Sequence, residues 1–387
     1  MVLEDVCELI ADCPHTTAPD EGNGYPLIRT PNVGKGRLLL EGVHRVSKDI
    51  YDKRNMRAIP QKDDIIFARE APAGNAALIR EGQEVCLGQR TVLIRPDCEK
   101  VFPEYLVYYL LAPEQQYKLL GTANGATVAH VNLPVIRKMP IELPDIDFQQ
   151  KIAGYISIYD DLIENNQRQI KLLEEAAQRL YKEWFVDLRF PGYEDCKIVD
   201  GVPVEWKKKK LDEIADVIMG QSPKSEFYNK EHKGLPFHQG VGSYGARFVQ
   251  DDTYSTSFTK VAEANSILFS VRAPVGRLNI TKNKIVIGRG IAAINSKSGF
   301  QSYLFYALKE RFFKDDILGN GAIFASISKN ELLNQVFVIP DEKIMSAYEK
   351  IAAALDKKIE VVDMQLQQLV EARDRLLPKL MNGEIEV

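Results

Sequence analysis

The sequence predicts an α+β chain built twice over: two similar β-rich domains, separated by two long helices that pair antiparallel as a coiled coil, related by an internal pseudo-two-fold symmetry. Three observations carry this reading. Segments of the first half recur in order in the second. Each recurring block is a series of short apolar runs punctuated by Gly and Pro. Each block is followed by a long stretch with a heptad pattern.

The recurrence is dense. DIIFAREAPAGN (64–75) matches SILFSVRAPVGR (266–277), LGQR (87–90) matches IGRG (287–290), and FPEYLVYYLL (102–111) matches FQSYLFYALK (300–309). NGATVAHV with IELP (124–144) matches NGAIFASI with FVIP (320–340), and QKIA (150–153) matches EKIA (349–352). The offset stays between 196 and 202 residues, far too long a period for a solenoid, so the pattern is one duplicated domain. The boundaries read as a first domain 1–144, a first long helix 145–190, a second domain 191–340, and a second long helix with its tail 341–387.

In the first block GRLLL (36–40), DIIFA (64–68) and TVLIRP (91–96) read as strands, and a short helix is expected around 103–111. A proline then closes the block. The first long helix has a start signal in Asp147, with Gln150 three places on as a capping-box partner. Its apolar seam runs Ile152, Ile156, Tyr159, Ile163, Asn166, Ile170, Leu173, Ala177, Leu180, Trp184, in alternating steps of four and three. At ~1.5 Å per residue, about 38 residues make a rod of about 57 Å. The polar Asn166 is of the kind that fixes register or partner orientation. In the second block SILFSV (266–271), KIVIG (284–288) and IAAIN (291–295) read as strands, with a helix around 301–314. The second seam runs Ile359, Val362, Leu366, Leu369, Arg373, Leu376, Leu380. One such helix could serve a homodimer. Two in one chain are expected to pair with each other and hold two similar heads at a fixed distance.

Composition narrows the class. With 387 residues, 45% hydrophobic and 27% charged, the chain suits two or three folded domains. It has no run of 18 apolar residues and no basic-then-apolar leader, so a cytoplasmic protein with no membrane partner is expected. The five cysteines (Cys7, Cys13, Cys86, Cys98, Cys196) form no CxxC, which argues against a disulfide framework or a zinc finger. The net charge of −4 is uneven. Residues 145–187 carry five cations against nine acids and 341–387 seven against ten, whereas 188–340 carry 21 against 16. Nucleic-acid binding would therefore come from local basic surface, not from a generic polycation.

Catalytic constellations are missing. There is no P-loop and no [DNS]PP[YFW] tetrapeptide. Pro340-Asp341 with Asp356-x-Lys358 resembles a nuclease pattern, but the latter two fall inside the second rod. The five histidines (15, 44, 130, 232, 238) lack metal-ligand spacing, so no metal site is expected. Gly240-x-Gly242-x-x-Gly245 is formally a dinucleotide motif, yet it leads into the extended ARFVQDDTYSTSF rather than a helix.

Duplex DNA suits two heads held apart, since symmetric readers contact two half-sites at a fixed spacing. Four stretches then carry a resemblance: LPxxxxQQKIA entering the first rod, RLYKEWFVDLRFPG (179–192) leaving it, GVPVEWKKKKLDEIADV (201–217) before the second block, and RLLPKLMNGEIEV (375–387) at the end. With these in order on a duplicated chain, the sequence resembles the specificity subunits of type I restriction–modification systems over nearly its whole length. The resemblance implies two target-recognition domains, each reading half of a bipartite DNA sequence, with the rods setting the unread spacer. It implies no catalysis and no cofactor in this chain. Two adenine-methyltransferase subunits, with S-adenosylmethionine on them, would dock on the rods, and two motor-nuclease subunits would join where cleavage accompanies methylation. LEDVCELI at the N-terminus aligns with LDEIADVI (211–218) but lacks the Trp-containing lead-in of the second block. The alternative is a structural adapter that joins proteins through its paired rods.

The candidate DNA-contacting residues follow. Residues 29–57 hold eight basic residues (Arg29, Lys35, Arg37, Arg45, Lys48, Lys53, Arg54, Arg57) against three acids, with Thr30, Asn32 and His44 among them. Such charge suits phosphates, and arginine in a groove reads guanine by two hydrogen bonds. In the second block YPLIRTPNVGKGRL (25–38) aligns loosely with LPFHQGVGSYGARF (235–248), which offers His238, Gln239, Ser243, Tyr244 and Arg247. The repeated turns add Arg69, Gln89 and Arg90 in the first half and Arg272, Arg277 and Arg289 in the second. KKKK (207–210) is either a DNA contact or a solvated strand edge.

Overall fold

The structure, a computed structural model, describes residues 1–121, 130–312 and 326–385. Most of the repeated NGATVAHV and NGAIFASI stretches therefore lies outside the described residues. The chain divides into two compact units, Met1–Gln167 with Met364–Val387, and Arg168–Asp363. Both long helices are 40 residues, Ile146–Phe185 (the central helix) and Glu342–Met381 (the C-terminal helix), and each contributes one part to each unit.

In the first unit a five-stranded sheet runs in the order Cys7–Asp12, Thr91–Pro96, Ile65–Ala68, Ala76–Leu78, Gly36–Arg37, with only the last pair parallel. A three-stranded sheet follows the order Arg45–Val46, Tyr25–Ile28, Cys86–Leu87, its second pair parallel. The strand Ile65–Ala68 is apolar throughout because both of its faces are covered. Ile65 and Phe67 pack with Tyr105 and Leu106 of the helix Pro103–Leu111, whereas Ile66 and Ala68 pack with Ile28 and Leu87 of the second sheet.

The second unit repeats this plan. Its larger sheet runs Ala215–Met219, Ile291–Ser296, Ile267–Ser270, Leu278–Ile280, all antiparallel. A parallel bridge from Phe248 to Ile280 stands where the first unit has its fifth strand. The other sheet contains Tyr254–Ser255, Leu235–His238 and Ile285–Ile287, again with the last pair parallel. Ile267 and Phe269 face the helix Gln301–Phe312, and Leu268 faces Ile285 and Ile287. The repeated turns share a cis peptide, Ala71–Pro72 and Ala273–Pro274. KKKK forms the strand Lys207–Lys210, paired antiparallel with Val336–Ile339.

The helix start differs from the expectation. Asp145, not Asp147, caps the central helix, its Oδ1 accepting the Phe148 N–H at 2.9 Å. Asp341 does the same for Ile344 at 3.1 Å. The helix begins one turn-fraction earlier than the apolar periodicity suggests, because the cap must precede the first helical residue. Gln149 rather than Gln150 has a partner there: its Oε1 accepts the Phe102 N–H at 2.8 Å, at the start of the head helix. Glu349 serves Ser302 and Tyr303 in the same way in the second unit.

Of the seam residues, Ile152, Ile156, Ile163, Asn166, Ile170, Ile359 and Val362 are buried, while Leu173, Leu366 and Leu369 are half-buried. Within the first unit, Ile152 and Ile156 share a core with Leu377 and Leu380, and Asp160 pairs with Arg373. Within the second, the Tyr348 hydroxyl donates to the Ala177 carbonyl at 3.3 Å. Among the described residues no helix is long and apolar enough to cross a membrane.

Candidate nucleic-acid interface

In each unit one edge gathers three segments: the end of the parallel strand pair, the Gly-containing turn after it, and the cis-proline turn. The Gly88 N–H donates to the Ile28 carbonyl at 2.7 Å, and the Gly288 N–H donates to the His238 carbonyl at 2.8 Å. Only glycine fits here. A Cβ would lie 2.6 Å from the Ile28 oxygen at Gly88, and 2.9 Å from the Gln239 Cα at Gly288. The Arg69 N–H bonds the Arg90 carbonyl and the Val271 N–H bonds the Gly290 carbonyl, both at 2.9 Å, which brings in the proline turns. The first edge thus collects Arg29, Gln89 and Arg90. The second collects Gln239, Arg272 and Arg289.

These side chains differ in how free they are. Arg90, Gln239, Arg272 and Arg289 are exposed, and Arg29, Gln89 and Arg277 are half-buried. Gln89 donates to the His15 carbonyl at 3.1 Å, and Arg90 lies 3.2 Å from Glu70, an exposed pair worth little in water. Glu70 also lies 3.4 Å from His130. Its counterpart in the second unit is Arg272, so the second edge is the more basic of the two. Exposed guanidinium and amide groups on a glycine-tightened edge can accept a phosphate or reach a base edge.

Several candidates serve the fold instead. Arg69 is 7% exposed and is held by the Val131 carbonyl, Asp12 and His130. Arg37 pairs with Asp161 and Glu164 of the central helix. Arg247, 3% exposed, bonds Asp356 at 2.6 Å and lies over the Phe305 ring at 3.7 Å. His238, 1% exposed, is clamped between Ser243 Oγ at 2.8 Å and Asp251 at 2.9 Å, which also occupies Ser243. Thr30 and Asn32 are buried, bonding the Ala71 and Leu39 carbonyls, and the Tyr244 hydroxyl is buried. The expectation that these side chains face DNA is corrected: the paired ones, Arg69, Arg37, Arg247, His238, Ser243, Thr30 and Asn32, would have to break their bonds to leave, and the Tyr244 hydroxyl is turned inward.

Six further candidates have other surroundings or are held by protein partners. Lys35 is exposed but borders a cavity of about 180 Å³ with Tyr108, Asp160 and Arg373, on the long-helix side of the head. Lys48 is paired with Asp52, Arg45 bonds the Gly24 carbonyl, and His44 lies 3.8 Å from Asp20. Lys210 of the KKKK strand bonds Asn334 at 2.8 Å. Arg54, read as a loop cation, is buried and bonds the Leu87, Thr16 and Pro14 carbonyls.

What the residue pattern did not reveal is a carboxylate–tyrosine pair under each head. The Tyr108 hydroxyl donates to Asp160 at 2.8 Å, and the Tyr306 hydroxyl donates to Asp356 at 2.9 Å. The repeated LVYYL and LFYAL could have pointed to the tyrosines; the aspartates stand at the same place, fifteenth in each long helix, but aligning the helices on QKIA and EKIA shifts them by three residues and hides the match. Burial raises both tyrosine hydroxyls above their ordinary range. It also pushes the Cys86 thiol up to about 11 and Cys7 to about 12, away from reactivity. Among the described residues no group of three or more His, Cys, Asp or Glu side chains could hold a metal ion.

Comparison with known proteins agrees with this duplicated plan. A putative type I restriction enzyme specificity subunit, MjaX, of Methanocaldococcus jannaschii is 30% identical over 395 residues, covering 100% of this chain and 93% of its own. The MjaIX specificity subunit of the same organism is 26% identical, covering 89% of this chain and 83% of its own. The crystal structure of a type I restriction–modification S subunit from M. genitalium shares the fold, with a TM-score of 0.58 at 17% identity, over 98% of this chain and 95% of that one. The family described as the type I restriction modification DNA specificity domain matches residues 1–175 and 203–372, and the chain belongs to it.

Proposed function

We propose that this chain recognises a two-part DNA sequence on behalf of a type I restriction–modification complex, and that its partners carry out adenine methylation and, where present, cleavage. The observation that carries this is the recurrence of one exposed cation- and amide-bearing edge at the same place in both heads. Each edge would read one half-site: Arg272 and Arg289 suit guanine or phosphate, and Gln89 and Gln239 suit adenine. The two edges differ at Glu70 against Arg272, which favours different half-sites and hence an asymmetric target.

The remaining parts of the reading are proposals of the same kind. The two long helices pair antiparallel along their length and set the unread spacer, which the Asp160–Arg373 pair supports. Two adenine-methyltransferase subunits dock on their outer faces and carry S-adenosylmethionine, and two motor-nuclease subunits join in the cleaving form. The complex works in the cytoplasm. A titration of the chain, assembled with an adenine methyltransferase of the same host, against fragmented host DNA tests the core of this. Enrichment of fragments sharing one two-part motif, weakening steeply with salt, is expected. Uniform retention of all fragments, or none, would contradict it.

A further inference from the structure

Each head holds a large apolar side chain in solvent beside its cationic edge. Met56 is 82% exposed and Phe258 is 54% exposed. Met56 follows the helix Lys48–Arg54 in residues 47–64, between the strands Arg45–Val46 and Ile65–Ala68, and Phe258 precedes the short small-sheet strand Val261–Ala262 in residues 256–266, between the strands Tyr254–Ser255 and Ile267–Ser270. A single exposed apolar residue is ordinary on a protein surface. Here it recurs in the corresponding interval of both heads, ahead of the buried central strand, and the chain on both sides of it is anchored.

Before Met56, Arg54 bonds the Leu87 carbonyl at 2.6 Å and Asn55 bonds the Val85 carbonyl at 3.3 Å. After it, Arg57 bonds the Asp12 carbonyl at 3.1 Å, while Gln89 reaches the nearby His15 carbonyl. Met56 is thus fixed next to the segment that carries Gln89 and Arg90. Around Phe258, the Ser257 carbonyl accepts the Ser255 hydroxyl at 2.9 Å, and Thr259 donates to the Gln221 carbonyl. The Lys260 carbonyl accepts the Ile287 N–H at 2.9 Å, and Ser222 accepts the Arg289 N–H at 3.2 Å. Exposed cations flank both: Lys53 and Arg57 in the first head, Lys260 in the second. Ile59 makes the contrast. It is 62% exposed, but its carbonyl is bonded to Arg95, beside Asp64, at the far end of the strand Thr91–Pro96 from Arg90.

We propose that Met56 and Phe258 are wedge residues, each entering the duplex at one base-pair step of its half-site and stacking on a partly unstacked base, while the flanking cations hold the phosphates on either side. The inference rests on the DNA-recognition reading above. Apolar side chains inserted between base steps kink DNA, and stacking on a base is tolerant of its identity. Pyrimidine–purine steps open most easily, so each half-site should contain such a step under its wedge. The wedges would add selectivity without a hydrogen bond.

The test uses the full chain with its methyltransferase subunit and a duplex carrying the motif mapped in the host. 2-Aminopurine is scanned through the purines other than the methylated adenines. Wild type should raise fluorescence at one step in each half-site. Met56→Ala should remove the first signal alone and Phe258→Ala the second alone, each weakening binding about tenfold with the salt slope unchanged. Met56→Leu should retain both. Because Met56 and Phe258 are exposed, an unchanged thermal midpoint shows that each variant is folded. Unchanged fluorescence in both Ala variants, or no signal in a wild-type complex that selects the motif, overturns the wedge and leaves recognition standing. A wild-type complex that does not select the motif overturns recognition, and the wedge with it.

Discussion

Asp160 of the central helix and Arg373 of the C-terminal helix form a 2.9 Å ion pair in which the carboxylate is 3% exposed and the guanidinium 13%. Tyr108 completes the carboxylate's hydrogen bonds from the head. In the second unit the corresponding carboxylate, Asp356, receives Tyr306 in the same way, but its guanidinium comes from Arg247 in the head. The sheet register explains the swap. Arg37 stands opposite Leu78 and Phe248 opposite Ile280, so the counterpart of Arg247 is Gly36, not Arg37. Gly36 has φ +87°, and a Cβ there would lie 3.0 Å from Asp160 Oδ2. Counted from the helix starts, which match Asp160 with Asp356, the counterpart of Arg373 is the uncharged Ala177, and Glu174, one turn before it, lies 3.8 Å from Arg247. One carboxylate is thus neutralised in each unit, buried in the first and half-buried in the second, by a cation delivered from the helix in one and from the head in the other.

Removing Arg373 strands a buried charge, whereas removing Arg247 leaves a carboxylate that is 20% exposed. Arg373→Ala is expected to lower stability by about 3 kcal/mol and Arg247→Ala by less. Asp160→Asn combined with Arg373→Met should recover most of the loss in the first unit, since no unpaired charge then remains. Urea denaturation of the four proteins measures this. An Arg373→Ala variant costing less than about 1 kcal/mol, the range of exposed pairs, would contradict the account.

Glu349 gives a pH prediction. Burial raises its carboxyl above the ordinary 4.5, against the lowering effect of the Ser302 and Tyr303 N–H groups. A raised folded value means that the ionised form is disfavoured in the folded protein, so its cost is full above the folded value and vanishes below 4.5. Ser302 bonds one carboxylate oxygen and Tyr303 the other, so Glu349→Gln keeps an acceptor for only one of them. Wild type should gain stability from this group as the pH falls through the folded value toward 4.5, and Glu349→Gln, which does not titrate, should lack that part of the pH dependence. Thermal midpoints with the same pH dependence in both proteins would oppose this.

The edge arginines separate binding from folding. Arg272→Ala and Arg289→Ala should each reduce the slope of log affinity against log salt by about 0.9 if they meet phosphates, with thermal stability unchanged. Arg69→Ala should do the reverse, losing stability because the Val131 carbonyl and Asp12 lose their donor. Salt titrations paired with thermal melts decide it. An Arg69 variant that melts like wild type and binds more weakly would place Arg69 on the DNA after all.

The outer face of the central helix carries Tyr155, Ile158 and Leu162, 51%, 56% and 44% exposed, at the spacing of one helical stripe. Replacing all three by Ser is expected to abolish co-purification with the methyltransferase while leaving the circular dichroism of the chain intact. Retained assembly would move the docking surface elsewhere.

Much of this architecture is readable from residues alone, and the reasons are local. Strands such as Ile65–Ala68 and Ile267–Ser270 are buried on both faces and almost wholly apolar, and the repeated Ala-Pro turns punctuate them identically. The heptad steps of Ile152, Ile156 and Ile163 mark the rod because one side of that helix is buried. The loops resist such reading. Aligning Arg37 with Arg247 by charge slips the register by one residue, since no local signal shows which arginine turns inward to a carboxylate. Arg69 and His238 look like base readers in sequence, yet their partners Asp12 and Asp251 are brought to them only by the sheets. Met56 and Phe258 carry no motif, and only their exposure and anchoring single them out.

The central claim, that this chain selects where its partners methylate DNA, is tested most directly by mapping N6-methyladenine across the host genome by long-read sequencing, with and without the gene. The account predicts that methylation disappears from a single motif of two short specified parts separated by an unread gap, and from no other. The same methylation pattern in both strains, with the partner methyltransferase intact and expressed, would contradict it.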